Sequence, residues 1–125
     1  MTDTAISSVH QGVILKTEHF GDCVRFYRDM LGLPLWWEKP GLVCLRFGGG
    51  YLMVEGMGVA TSEPRSVARN PTVLRFHVQD IEAAAAALGK VGIAVQVLHF
   101  DWGVIGTFAD PDGNPCELAE VWADV

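Results

Sequence analysis

The sequence lacks three features that would each point to a class of function. Nine lysines and arginines stand against fifteen aspartates and glutamates, a net charge of −6, so no broad basic surface is available to neutralise nucleic-acid phosphates. The three cysteines form no C-x-x-C pair, which argues against a disulfide framework and a thiolate zinc site. No apolar run reaches the roughly 18 residues that suggest a membrane helix. We therefore expect neither nucleic acid nor membrane as a partner.

The start of the sequence also lacks a cationic segment followed by an apolar stretch, the pattern of a secretory signal. We expect a cytoplasmic protein, where thiols remain reduced. With 125 residues, half of them hydrophobic, the chain is predicted to form a single domain over residues 1–125.

What the sequence does contain is a weak internal repeat. Residues 9–56 predict a strand, a helix and three short strands, and residues 72–122 predict the same order, with residues 57–71 as the connection. Phe47 and Phe108 are separated by 61 positions. Two copies favour an α+β domain with pseudo-twofold symmetry and two small sheets around a cleft. A βαββαβ ligand-binding domain is the alternative, but it has fewer strands between its helices.

Three stretches carry a family resemblance. Phe26–Leu33 resembles the F-Y-x-x-x-L-G-L motif of the vicinal oxygen chelate superfamily, which includes glyoxalase I, bleomycin-resistance proteins and extradiol dioxygenases. Phe108–Leu118 is similar to its F-x-D-P-D-G-N-x-x-E-L ending, and Val78–Ile81 fits its second strand-to-helix junction. The resemblance implies two βαβββ modules, curved mixed sheets that enclose a cleft, and a homodimer.

The resemblance also implies where a divalent metal would bind. In the superfamily, each module supplies one ligand from its opening strand and one from its closing strand, commonly His and Glu. The closing positions fall on Glu55 and Glu117, but the opening positions fall on Gly12 and Val73, which have no ligating side-chain atom. We therefore expect no metal and no other cofactor; if a divalent metal is present, Glu55 and Glu117 are its expected ligands.

The two nearest histidines do not replace the missing ligands. His10 lies two residues from Gly12, and His77 lies four residues from Val73. At ~3.3 Å per strand residue these offsets are about 7 and 13 Å, whereas metal–ligand bonds are about 2 Å long.

Alternation from the four strand positions that the resemblance supplies predicts a small-molecule site on the cleft side, and the resemblance adds Trp102. Arg75 is expected to neutralise Glu117, while Trp36 and Trp37 are expected on opposite sides of one strand. No catalytic residue is assigned, although His77 and Glu117 are candidates, His77 because an imidazole titrates near neutral pH. The predicted ligand-binding residues are His10, Tyr51, Met53, Glu55, Arg75, His77, Trp102 and Glu117.

Three functions follow as hypotheses. The first is a glyoxalase/bleomycin-resistance-like protein that binds a small, partly aromatic or cyclic molecule without a complete metal site, by sequestration or metal-free acid/base catalysis. The second is a metal-dependent glyoxalase-type lyase or ring-cleaving dioxygenase that uses Glu55 and Glu117. The third is a non-catalytic pseudo-enzyme that binds a partner. Whether the chain is an enzyme stays open at this point.

Overall fold

The structure, a computed structural model, describes residues 9–122. The chain divides into two compact units, and the boundary between Val59 and Ala60 lies inside the predicted connection. Each unit contains the predicted order of strand, helix and three strands. The α+β fold of two βαβββ modules is therefore confirmed.

The first unit is a four-stranded mixed sheet with one helical segment. The elements are β1 (Gly12–Lys16), α1 (Phe20–Val24), the π-helical segment Arg25–Met30, β2 (Leu35–Lys39), β3 (Leu42–Phe47) and β4 (Gly50–Glu55). The helical segment thus begins at Phe20, and its second half is π-helical. The sheet order is β1-β4-β3-β2, in which β1 runs parallel to β4 and the other neighbours are antiparallel.

The core of this unit lies between the helical segment and one face of the sheet. Phe26 and Tyr27 are buried on the helical side, and Leu45, Leu52 and Val54 are buried on the strands. Because strand side chains alternate, the intervening residues project from the opposite face. We call the face that is turned away from the helix of its own unit the open face.

The second unit repeats this plan with the sheet order β5-β8-β7-β6, and β5 runs parallel to β8. Its helix begins after Asp80, whose carboxylate accepts a hydrogen bond from the Ala83 N–H at 3.1 Å, as expected for an N-cap. No helix within residues 9–122 is long and apolar enough to cross a membrane. The elements are β5 (Leu74–Val78), α2 (Ile81–Lys90), β6 (Gln96–Phe100), β7 (Gly103–Ala109) and β8 (Pro115–Glu120).

Residues 61–67, which we call the strap, belong to the second unit. The Arg65 N–H donates to the Gly113 carbonyl at 2.8 Å, and the Thr61 N–H donates to the Asp112 carbonyl at 3.3 Å. Gly113 has a φ of +86°, and a Cβ there would lie 2.4 Å from the Thr61 hydroxyl oxygen. The segment predicted as a connection is therefore fastened to the turn between β7 and β8.

That turn is organised by a buried carboxylate. Asp110 is 5% exposed, and it accepts hydrogen bonds from the backbone N–H groups of Asp112 and Asn114, both at 2.9 Å. Buried hydrogen bonds therefore stabilise the turn between β7 and β8.

Candidate functional site

The predicted ligand-binding residues fall into two groups, one on the open face of each unit. In the first unit, β1 and β4 pair in parallel, with Gly12 opposite Tyr51 and Lys16 opposite Glu55. Tyr51, Met53 and Glu55 therefore project from the open face. The alternate residues Leu52 and Val54 are fully buried.

Gly12 lies directly beneath the ring of Tyr51. A Cβ at Gly12 would lie 2.4 Å from the Tyr51 Cδ1 and Cε1 atoms, well inside van der Waals contact. An aromatic ring that covers a cross-strand glycine is a known way to stabilise a sheet. The opening-strand position that the superfamily uses for a metal ligand is therefore covered by another side chain in this chain.

The carboxylate of Glu55 forms an ion pair with Lys16, which is its directly opposite neighbour on β1. The Glu55 side chain is 27% exposed and that of Lys16 is 58% exposed. Glu55 also lies four positions along β4 from Tyr51, the residue opposite Gly12. The two metal-ligand positions predicted in this unit are thus well separated along the sheet, by about 13 Å at ~3.3 Å per residue.

A β-bulge changes the side on which one tryptophan projects. The β2–β3 register shifts between Leu35 and Trp37, so that Trp37 pairs with Cys44. The Arg46 guanidinium carbon lies 4.4 Å from the centre of the Trp36 ring, and Arg46 shares the face of Cys44 by alternation. Both tryptophans therefore lie on the open face, and the prediction of opposite sides was wrong. An inserted bulge residue interrupts strict alternation.

His10, which precedes β1, joins the same cluster, because its ring centre lies 4.9 Å from that of Trp36 in an edge-on arrangement. The Tyr51 ring centre is 6.3 Å from that of Trp36. Cys44, on the same face, is 1% exposed, and burial raises the pKa of its thiol despite the nearby Arg46 charge. Like Cys23 and Cys116, it is a buried thiol and not part of a disulfide.

In the second unit, Glu117 lies opposite Arg75 of β5 and opposite Thr107 of β7. The Arg75 Nε and Nη2 atoms lie 2.6 and 2.5 Å from the Glu117 Oε1 atom. The Glu117 side chain is only 13% exposed, whereas that of Arg75 is 39% exposed. The predicted ion pair is present, and Arg75 supplies the positive charge that this mostly buried carboxylate requires.

A cavity of about 580 Å³ lies between the strap and this open face. Strand register puts three polar side chains on this face: Gln96, Thr107 and Glu117. On the opposite side of the cavity, Arg65 of the strap donates a hydrogen bond to the Asn114 side chain. The residues that line the cavity are Pro64, Arg65, Val67, Val73, Ala94, Val95, Gln96, Thr107, Phe108, Ala109, Pro115, Cys116 and Glu117.

His77 lies further along the same face. Its Nδ1 atom is 2.7 Å from the Glu120 carbonyl, so Nδ1 carries the proton and Nε2 is the acceptor when the ring is neutral. The His77 ring centre lies 4.3 Å from that of Trp122. A smaller cavity of about 200 Å³ is lined by Arg75, Trp102 and Trp122, among others.

Trp102 is 68% exposed and stacks on Phe100, with ring centres 4.9 Å apart and planes at 4°. Sequence reasoning missed Trp122, Arg65 and Arg46. Alternation from Cys44 could have found Arg46, but the contacts of Trp122 and Arg65 depend on chain paths outside the strands, for which there is no periodic signal.

These donors do not fit the divalent metal that the resemblance implies. Such a site needs several neutral imidazoles or free carboxylates that converge. Among residues 9–122, no three His, Cys, Asp or Glu side chains are placed to hold a metal ion. The two predicted glutamates are each paired with a cation, and their opening-strand counterparts are Gly12 and Val73.

Comparisons with known proteins agree with this fold. A family profile described as a glyoxalase-like domain matches residues 12–119. Protein YraH of Bacillus subtilis is 27% identical over 117 residues, which cover 83% of this chain and 91% of YraH. Lactoylglutathione lyase from Agrobacterium tumefaciens has a TM-score of 0.69 at 21% identity, over 94% of this chain and 96% of the lyase. TnmS3, an antibiotic binding protein from Streptomyces sp. CB03234, has a TM-score of 0.67 at 22% identity, over 96% of this chain and all of TnmS3.

Proposed function

Because this chain belongs to the glyoxalase-like domain family, within the vicinal oxygen chelate superfamily, we propose that it binds a small, partly aromatic or cyclic molecule without the metal site of that superfamily. The proposed site is the cavity between the strap and the open face of the second unit. Its volume of about 580 Å³ lies within the ~300–1,000 Å³ typical of small-molecule pockets.

The observation that carries this proposal is the composition of that cavity. Its floor and walls are mostly apolar, with Val67, Val73 and Phe108 among them, and its few polar side chains include Thr107 and Glu117. An apolar cavity with a small number of placed polar groups is the usual form of a ligand site. Arg75 holds Glu117 from the adjacent strand, so the carboxylate can accept a hydrogen bond from a ligand without being an isolated buried charge.

The antibiotic-binding neighbour TnmS3 supports a binding role for this fold, while the lyase has the same fold and a different role. Fold alone therefore does not decide between binding and catalysis. The paired glutamates and the covered Gly12 favour metal-free binding over a metal-dependent lyase or dioxygenase. If a reaction follows binding, Glu117 is the better candidate acid or base of the two, because it lines the cavity and His77 does not.

Ligand binding can be tested by filling the cavity. Ala109→Trp should fill part of it, and Ala87→Trp adds the same side chain to the exposed surface of α2. A thermal-shift screen of planar aromatic and cyclic metabolites and antibiotics should give a compound that raises the midpoint of wild type and Ala87→Trp but not of Ala109→Trp. A ligand at 100 times its Kd adds about 2.7 kcal/mol of stability.

Two results would contradict the proposal. The first is a screen in which no cavity-sized compound raises the midpoint, which would favour a partner-binding protein. The second is a stoichiometric divalent ion after purification without chelator or affinity tag that is lost in Glu117→Ala, which would favour the metal-dependent enzyme.

A further inference from the structure

A second candidate site lies on the open face of the first unit, whose residues do not line the cavity proposed above, and it differs from the rest of the chain in charge. Among residues 9–122, strand register places the cations Lys16, Lys39 and Arg46 and one carboxylate, Glu55, on this face. These strand residues carry a net charge of +2, from three cations and one acid, although the whole chain has a net charge of −6.

Of these cations, Arg46 is the one placed to bind an anion. Lys16 is already paired with Glu55, and the Lys39 ammonium lies 5.7 Å from the centre of the Trp37 ring. Arg46 is exposed, and among residues 9–122 its side chain has a contact with the Trp36 ring and no ion pair. Stacking on an aromatic ring holds the planar guanidinium in one orientation while its N–H groups stay available for a carboxylate.

The surroundings of Arg46 are suited to a ligand with an apolar body. Tyr51 lies directly opposite Arg46 on β4. Two apolar side chains of this face, Ile14 and Trp37, are 52% and 39% exposed, and His10 closes the cluster against Trp36. An aromatic carboxylate could therefore pack its ring on this surface while the carboxylate accepts hydrogen bonds from the guanidinium.

We propose that Arg46, stacked on Trp36, forms a recognition site for a small aromatic carboxylate on the open face of the first unit. A charge-assisted, two-pronged hydrogen bond to the guanidinium supplies both affinity and selectivity for the anion. The proposal does not depend on whether the cavity of the second unit binds a ligand.

Three probes of equal shape test the selectivity: 2-naphthoate, 2-naphthamide and 2-naphthamidine, which are anionic, neutral and cationic. Titrations followed by the indole N–H signals in proton–nitrogen NMR should shift Trp36 and Trp37 with 2-naphthoate. We expect the anion to bind about tenfold more tightly than the amide, which corresponds to about 1.4 kcal/mol, and the cation to bind more weakly than the amide. Equal affinity for the anion and the amide, or no binding of 2-naphthoate, would overturn the proposal.

The residue assignment is tested with Arg46→Met and the control Arg25→Met, which removes an exposed arginine from the helical segment of the same unit. We expect an affinity loss for 2-naphthoate of about tenfold in Arg46→Met, as for a lost charge-assisted bond, and none in Arg25→Met. Equal losses in both variants would mean a general charge effect and would overturn the assignment.

If Arg46→Met does not fold, Arg46→Lys replaces it, because lysine keeps the charge but not the planar fork. We then expect a loss of about threefold, and unchanged affinity would overturn the proposal. Shifts confined to Trp102 and Trp122 would place the probe in the second unit; they would overturn this inference while leaving the function proposed above intact.

Discussion

The contact between Gly12 and Tyr51 gives a quantitative prediction. Replacing glycine by alanine inside a strand normally stabilises a protein by about 0.5–1 kcal/mol, because glycine loses more backbone entropy on folding. At Gly12, however, the new Cβ would lie 2.4 Å from two Tyr51 ring carbons and 2.5 Å from Cγ. These atoms are near the base of the side chain, so the ring cannot avoid the methyl group by a movement at its tip.

Overpacking of this kind typically costs about 1–3 kcal/mol. After the gain of about 0.5–1 kcal/mol in backbone entropy, we expect Gly12→Ala to lower the free energy of unfolding by about 1 kcal/mol. The midpoint of thermal unfolding should fall by about 4 °C. Circular dichroism with urea and thermal denaturation measures both quantities.

The control separates the ring contact from other effects of alanine. Gly21→Ala, in α1 where a Cβ meets no atom within 4 Å, should be stabilising by about 0.5–1 kcal/mol. In a Tyr51→Ala background, Gly12→Ala should also be neutral or stabilising, which gives a coupling energy of about 1–2 kcal/mol. The reasoning is refuted if Gly12→Ala is as stabilising as Gly21→Ala, or if its cost is the same with and without the Tyr51 ring.

Three further predictions follow from the same contacts. Arg75→Met should lower the free energy of unfolding by about 1–3 kcal/mol, because Glu117 loses its cation. Adding Glu117→Gln should restore most of the lost stability. An equal loss from Arg75→Met in wild type and in Glu117→Gln protein would argue against the ion pair. Burial raises the pKa of Cys44, so in Cys23→Ala/Cys116→Ala protein its thiol should react far more slowly with Ellman's reagent when folded than in urea. Equal reaction rates in the folded and unfolded protein would contradict burial. The raised pKa also makes stability depend on pH: the contribution of the Cys44 thiol is complete below the ordinary thiol pKa of 9.0 and is lost as the pH rises through the folded pKa. Gly113→Ala should lower the free energy of unfolding by about 1–2 kcal/mol for its positive φ and further for the clash with Thr61, and amide exchange at Arg65 should accelerate. Gly32→Ala, at a φ of +82° in open space, measures the cost of the positive φ alone. Equal losses of stability in the two variants would exclude the clash.

The fold was predictable because its signals are local. Asp80 caps α2 as its position before the alanine run predicts, and Asp110, in the Asp-Pro-Asp-Gly stretch, organises the turn after β7. The pairing of Arg75 with Glu117 was predictable for a different reason: the resemblance implied that the opening and closing strands share one cleft, and alternation then puts both residues on its side.

The features that escaped prediction depend on how one segment pairs with another, which the periodicity of a single strand does not show. The bulge in β2 is a property of its register with β3, and nothing in the sequence around Trp36 and Trp37 shows that one residue is left unpaired. The covering of Gly12 by Tyr51 requires the parallel register of β1 with β4. The strap has little periodicity, because its backbone hydrogen bonds go to a turn and not to a strand.

In both units a cation neutralises the closing-strand glutamate, but the internal repeat does not align the two cations with each other. In each unit, the closing-strand glutamate is neutralised by a cation directly opposite it on the opening strand, Lys16 for Glu55 and Arg75 for Glu117. The 61-residue repeat instead aligns Lys16 with His77, and Ile14 with Arg75. A repeated metal-ligand set would preserve equivalent positions, because coordination geometry is demanding, whereas an ammonium or guanidinium group needs only to reach the carboxylate. Unequal positions are therefore compatible with two independent ion pairs, whereas a repeated coordination set would need equivalent ones.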